Sequence, residues 1–343
     1  MLNYGLDVHK RYTNFCVMDD RGEIIQEGRC PTDELPRHPT FSLKGEKRAV
    51  LEAGGNWYSV YDALEPVVEE LTLAHPLRVR AIAAARVKTD AIDAKTLAHL
   101  LRSDLIPAAY VPPREVRDLR ELLRYRMDLV KQRTALKNRV HALLAKEGLP
   151  APVTDLFGRQ GRRFLEALAL PAQQRFQLQG YLAVLDCMTG QIRAADEQVV
   201  AKCAVNPVAK LLDTIPGVGP LSALVIFAEI GDMQRFDSPQ KLCSFAGLAP
   251  RVHSSGGKTR RGPITKQGPS ALRWVLIEAA HFAVRRPGRL QRLYLRLRRG
   301  KHPSVAITAC ARELLVAVYH IWKRGEAFRG DGSSSAILPS EVA

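Results

Sequence analysis

The 343-residue chain carries 51 Lys and Arg against 35 Asp and Glu, a formal net charge of +16 that suits a polyanionic partner, nucleic acid or an anionic membrane surface. Its 46% hydrophobic content excludes a disordered chain, and its length allows two domains with an arm between them. No apolar run reaches the roughly 20 residues of a membrane span, and Asp7 and Lys10 interrupt any secretion-signal core, so neither is expected. Of the two polyanions nucleic acid is the expected partner, and no membrane partner is expected. The six cysteines, at 16, 30, 187, 203, 243 and 310, lack CxxC spacing, which argues against zinc and for reduced thiols in a cytoplasm.

In chain order, "NYGLDV" and "NFCVMD" read as strands, "DDRG" as a turn and "EIIQEG" as a third strand. "KRAVLEA" (47–53) is a short apolar strand holding Glu52, "WYSVYDALEPVVEEL" reads as a helix, "RVRAIA" (78–83) as another strand, and "KTDAIDAKTLAHLL" (88–101) as a helix. Hairpin strands followed by strands alternating with helices predict a mixed sheet with helices packed on it. After the break at Pro112 and Pro113, residues 115–147 contain Gly and Pro nowhere, and Leu119, Leu122, Leu129, Leu136, Val140 and Leu143 follow helical spacing, interrupted by Arg126 and Arg133. A second long helix is expected over about 173–203. The pair reads either as an antiparallel arm or coiled coil, or as core helices of one domain. The expected divisions are 1–111, 112–205, 206–325 and a disordered tail at 326–343, "GDGSSSAILPSEVA" at its end.

Charge is concentrated late in the chain. Between Arg251 and Lys301 stand fourteen Lys or Arg and one acid, Glu278, a local balance of +13. Solvated basic faces usually mix both signs, so this segment points to phosphate. Its few aromatics argue against stacking on single-stranded bases.

Four carboxylates invite a common explanation. Asp7 lies inside the first strand, Glu52 ends a second, and Asp90 and Asp93 share a helical face. Singly, each reads as a surface acid or a helix cap. Gathered at one point of a mixed sheet they would repel, and a pair of Mg²⁺ ions about 4 Å apart would relieve that and clamp a phosphodiester's attacking and leaving oxygens.

In the second half, "LLDTIPGVGPLSALVIFAEIG" (211–231) reads either as a helix-hairpin-helix, with the Gly217 and Gly219 backbone and a helix N-terminus meeting phosphate, or as a structural helix connection. "SSGGKTRRG" reads as a small flexible loop in which Ser254 and Ser255 are turn residues. A serine hydroxyl needs a base or a metal to become a good nucleophile. Lys258, Arg260, Arg261, Lys266 and Arg273 are candidate phosphate contacts, and His253 a candidate proton carrier.

"GLDVHK", "LEAGG" and "KTDAIDAKTLA" resemble the N-terminal DEDD domain of the IS110 family of insertion-sequence transposases. "IPGVGPLSA", "FAGLAPR", "SSGGKTRRGPITKQG" and "LRWVLIEAA" resemble its C-terminal transposase domain, so the likeness runs from about 3 to 285. One departure is Pro269 after "KQG", where the family pattern has a polar residue such as Asn. The resemblance implies an α/β ribonuclease-H-like (RuvC-like) mixed sheet with helices, a long helical or coiled-coil arm, and a mainly α C-terminal domain with a helix-hairpin-helix-like element. It also implies metal ligation by Asp7, Glu52, Asp90 and Asp93, with Mg²⁺ or Mn²⁺ as cofactor, and a catalytic serine that falls on Ser255 or its neighbour Ser254.

The activity so implied is DNA strand exchange through a serine–DNA phosphoester, with donor and target DNA chosen by a bridge RNA and the work shared by protomers of a dimer or tetramer. Two other readings of the same residues are a metal-only structure-selective nuclease and a non-catalytic nucleic-acid-binding protein.

Overall fold

The computed structural model describes residues 1–83, 89–255 and 258–329, the side chains at 253–259 and 261 excepted. From 330 onward the expected disordered tail lies outside the described residues. The chain divides into two compact units, Met1–Pro112 and a second beginning at Pro113.

The first unit is built on a five-stranded sheet of order β3-β2-β1-β4-β5. Its strands are β1 (Leu2–Val8), β2 (Tyr12–Met18), β3 (Ile24–Pro31), β4 (Lys47–Glu52) and β5 (Glu70–Ala74). The first three form an antiparallel meander, and β4 and β5 run parallel to β1, so the sheet is mixed as the strand pattern predicts. Alternation along β1 sends Leu2, Tyr4 and Leu6 into a core with Leu51, Leu73 and helix α1 (Trp57–Leu64). The opposite face is covered by α3 (Asp90–Arg102), whose Ala94 and Ala98 pack on Cys16 and Met18. Helix α2 (Pro76–Ile82) joins the α3 side, where its Val79 packs with Val50, Ala74, Leu97, Leu100 and Leu101.

Two expectations are corrected here. The strand expected at 78–83 is helix α2, and the strand that pairs with β4 is Glu70–Ala74, whose first two residues fall in the segment expected as the preceding helix. Pro66 explains the second error, because proline removes a helical hydrogen bond and the helix ends at Leu64. Pro76 explains the first: at the first helical position its fixed φ favours a helix start, and it outweighs the short apolar run that follows.

In the second unit, α4 (Arg114–Lys146) and α6 (Ala172–Val205) pack side by side and antiparallel, with Arg126 meeting Asp196 at 2.8 Å and Gln174 meeting Glu147 at 3.0 Å. Arg126 thus interrupts the apolar stripe to form an ion pair. Leu136, Val140, Leu143 and Leu144 join Leu178 and Leu185 and the intervening α5 (Arg159–Ala167) in a separate small core. A larger helical core follows, made by α7 (Pro207–Asp213), α8 (Pro220–Ile230), α9 (Pro239–Phe245), α10 (Ser270–Ala283), α11 (Arg289–Arg298) and α12 (Pro303–Arg324).

Helix α12 corrects the expectation that no segment is long enough to cross a membrane: by length and composition alone it is. Its Ala306, Ile307, Cys310, Ala311, Leu314, Leu315 and Val318 are buried against neighbouring helices, the setting of a core helix. A further correction concerns "SSGGKTRRG". Where a flexible loop was expected, β6 (Pro250–Ser255) and β7 (Lys258–Ile264) form an antiparallel ribbon.

Candidate functional site

The acidic pocket is assembled by one close approach. A Cβ placed on Gly5 would lie 2.0 Å from the Ala94 carbonyl oxygen and 2.4 Å from the Ala98 nitrogen, so α3 rests directly on the β1 backbone at a position only glycine fills. Helix and strand run in opposite directions, with Arg102 at the far end donating to the Asp20 carbonyl. The first turn of α3 therefore arrives at the end of β1, where Asp7 stands on the same face as Gly5. On the neighbouring strand, Leu51 pairs with Leu6, so Glu52 follows one residue on, sharing a face with Val50, which packs on α3. Asp7, Glu52, Asp90 and Asp93 are all half-buried at this end of the sheet.

Helix capping does not account for the two α3 aspartates. The cap is Thr89, whose hydroxyl accepts the Ile92 N–H at 3.3 Å. Burial pushes the Asp7 carboxyl above its ordinary range; His9 opposes this, while the charges of Asp90 and Asp93 add to it. A pocket that brings ionised carboxylates near enough to disfavour one another has the electrostatics a cation would relieve.

Sequence reasoning missed two members of this pocket. His9 Nε2 lies 3.0 Å from Asp7 Oδ2 and 3.3 Å from Asp90 Oδ2, and these three residues form a group able to hold a metal ion. The Tyr12 hydroxyl donates to Asp90 Oδ2 at 3.2 Å. The signal for His9 was its spacing, two residues after Asp7 and hence on the same side of an extended chain.

The second group of candidates is not gathered in the same way. Ser255 ends β6 and pairs with Lys258; Ser254 pairs with Thr259, and His253 with Arg260. The side chains of His253, Ser254, Ser255, Lys258 and Arg261 lie outside the described residues. Arg251, Arg260 and Lys266 are exposed, as are Arg285, Arg286, Arg296, Arg298, Arg299 and Lys301. Arg273 is engaged within the fold, where its guanidinium donates to the carbonyls of Ala246, Gln267, Gly268 and Pro269 and burial lowers its pKa. The two glycines also differ. Gly217 (φ 88°) faces the Ala279 carbonyl, which a Cβ would meet at 2.5 Å, whereas Gly219 stands in open space at the N-terminus of α8.

Comparison with known proteins then decides the family. Residues 4–147 match a DEDD transposase model of IS110 type, and residues 209–295 match the transposase IS116/IS110/IS902 family. The chain is 30% identical over 292 residues to a protein of Coxiella burnetii named transposase for insertion sequence element IS1111A, covering 82% of this chain and 77% of that one. The chain belongs to the IS110/IS116/IS902 transposase family. A putative transposase of Sinorhizobium fredii is 29% identical over 77% of this chain and 72% of its own length. The transposase for IS1328 of Yersinia enterocolitica is 26% identical over 70% and 73%. The acids at 7, 52, 90 and 93 fall within the DEDD match, and the β6–β7 ribbon falls within the second. This transposase is thus a member of a family of DNA recombination enzymes, and its DEDD domain points to a divalent cation.

Proposed function

We propose that this transposase cuts and rejoins DNA through a covalent link between Ser255 and a DNA phosphate, assisted by divalent cations at Asp7, Glu52, Asp90 and Asp93. The observation that carries the reading is the arrival of acids from two parallel strands and one helix at a single end of the sheet. In this reading the first unit is a RuvC-like fold and the α7–α8 connection a helix-hairpin-helix.

When bound, Mg²⁺, or Mn²⁺ in its place, supplies charge stabilisation to the oxygens entering and leaving phosphorus. The Ser255 hydroxyl attacks, the deoxyribose 3′ oxygen leaves, and the serine phosphoester keeps the bond energy for rejoining, so no ATP is consumed. Lys258, Arg260, Arg261 and Lys266 neutralise the phosphate, His253 carries a proton, and the backbone at Gly219 meets a second phosphate. The acids of one protomer and the serine of another act on one scissile phosphate, so dimers and tetramers form on donor and target DNA, with α4 and α6 as assembly arms. A bridge RNA selects the sequences by base pairing, which suits a surface that holds backbones rather than reading bases. The site of action is the cytoplasm.

Strand cleavage tests the reading. Asp7→Ala and Asp93→Ala are each expected to slow cleavage by about a hundredfold or more; wild-type rates in both would take these acids out of the chemistry, and a non-catalytic binding protein would show no cleavage even in the wild type. A metal-only nuclease is the second reading, favoured by an acid set contained wholly within residues 1–112. It predicts that Ser255→Ala cleaves normally.

A further inference from the structure

This inference rests on the acidic pocket being a divalent-cation site. We infer that His9 is a further ligand of that pocket, making it a mixed nitrogen–oxygen site that favours a first-row transition ion such as Mn²⁺ or Co²⁺ over Mg²⁺.

Three observations converge on His9. First, its Nε2 stands 3.0 and 3.3 Å from carboxylate oxygens of Asp7 and Asp90. Adjacent ligands of an octahedral ion with bonds of about 2.1 Å lie about 3 Å apart, so Nε2 has the spacing of a shell neighbour from each carboxylate oxygen, and the ligand atoms of all three residues lie within 4.8 Å of one another. Second, the backbone of His9 is held from three directions. Its N–H donates to the Tyr12 carbonyl at 2.9 Å, and its own carbonyl accepts from the Thr32 hydroxyl at 2.9 Å and from Asn56 Nδ2 at 3.2 Å. Thr32 follows β3 and Asn56 follows β4, so the ends of separate strands fix this one residue. A solvated hairpin histidine needs no such support; a ligand does, because coordination demands a side chain placed within about half an ångström. Third, the ring lies 4.8 Å from the Tyr12 ring, and the Tyr12 hydroxyl in turn donates to Asp90. One aromatic residue thereby orients both the imidazole and the carboxylate beside it, as outer-shell partners of metal ligands do.

The consequence is selectivity. Mg²⁺ takes hard oxygen donors and sheds water reluctantly, so an imidazole adds little to its binding. Transition ions accept imidazole readily, and their affinity for nitrogen-containing sites rises along the series from Mn²⁺ to Co²⁺. An oxygen-only pocket would show little of that preference.

The test is calorimetric titration of the full metal-free chain with Mn²⁺, Co²⁺ and Mg²⁺ separately, in wild type, His9→Ala and Asp7→Asn. The supports of His9 are backbone hydrogen bonds that alanine retains, and an unchanged circular dichroism spectrum verifies folding of both variants, with an unchanged Tm for His9→Ala. His9→Ala is expected to weaken Mn²⁺ and Co²⁺ binding by about tenfold or more while leaving Mg²⁺ nearly unchanged. Pulsed EPR of the Mn²⁺-loaded wild type should show a nitrogen coupling that disappears in His9→Ala. Asp7→Asn should weaken all three ions. If His9→Ala binds Mn²⁺ as tightly as wild type or more tightly, the imidazole is a bystander or a competitor for the pocket, and the inference is overturned while the pocket stands. If the wild type binds none of the three ions, or Asp7→Asn binds them normally, the metal reading of the pocket fails and takes this inference with it.

Discussion

The two units of the chain present opposite chemistries. Residues 1–112 contain 14 Lys and Arg against 16 Asp and Glu, whereas residues 113–343 contain 37 against 19. The whole positive excess thus belongs to the second unit. The first has a nearly balanced surface and spends its distinctive acids on one pocket, set by a helix lying on a strand at Gly5. The second spreads its cations along a ribbon and helices, where exposed arginines follow no single point. Precise placement of a few charges suits chemistry on an atom, and diffuse placement of many suits holding a polymer backbone.

Breaking the first arrangement should have the largest effect. Gly5→Ala drives a methyl group into the α3 backbone and is expected to cost about 3 kcal/mol in urea denaturation, with divalent-ion binding lost as the helix shifts. A stability change below about 0.5 kcal/mol would mean that α3 does not rest on β1 as described. Next, Gly217→Ala is expected to destabilise the second unit by about 1–3 kcal/mol, through both its positive φ and the Ala279 carbonyl. Gly219→Ala should stay within about 0.5 kcal/mol yet weaken DNA binding if its backbone meets phosphate. Equal stability losses would erase the distinction between a packing glycine and a binding one.

Two smaller effects sharpen the contrast in charge. In the metal-free chain at neutral pH, Asp7→Asn should raise the Tm. The folded-state pKa of Asp7 is raised, so its ionised form is disfavoured by folding, and that cost is absent below the carboxylate's unfolded pKa, near 3.9. A lowered Tm would mean that the His9 contact outweighs burial. For the basic unit, replacing Arg296 and Lys301 by alanine should reduce the slope of log affinity against log salt by about one per lost phosphate contact. An unchanged slope would remove them from the nucleic-acid surface.

Much of the layout was legible in the residues. The strand meander, the mixed sheet and both long helices follow from alternation and helical spacing, which are local properties. The acids at 7, 52, 90 and 93 could be singled out because charge in apolar strands and on one helix face is costly without compensation. What escaped depended on other information. Pro66 and Pro76 moved a strand and a helix boundary that apolar runs alone could not locate. The pairing of Ser255 with Lys258 was hidden by a Ser, Gly and basic composition that reads as a loop. The need for Gly5 arises from a helix ninety residues away, and no local pattern announces it. Arg273 counts as a cation in any sequence tally, yet its guanidinium donates to four carbonyls.

The central claim, that a serine on the ribbon becomes joined to DNA, is tested most directly by trapping. Wild type and Ser255→Ala would be incubated with substrate DNA, divalent ion and co-purified RNA, denatured, and any covalent protein–DNA species digested and located by mass spectrometry. The account predicts an adduct on the peptide holding Ser254 and Ser255, with the phosphate on Ser255 and none formed by the variant. An adduct on any residue outside that peptide, or efficient strand cleavage by Ser255→Ala, would contradict it.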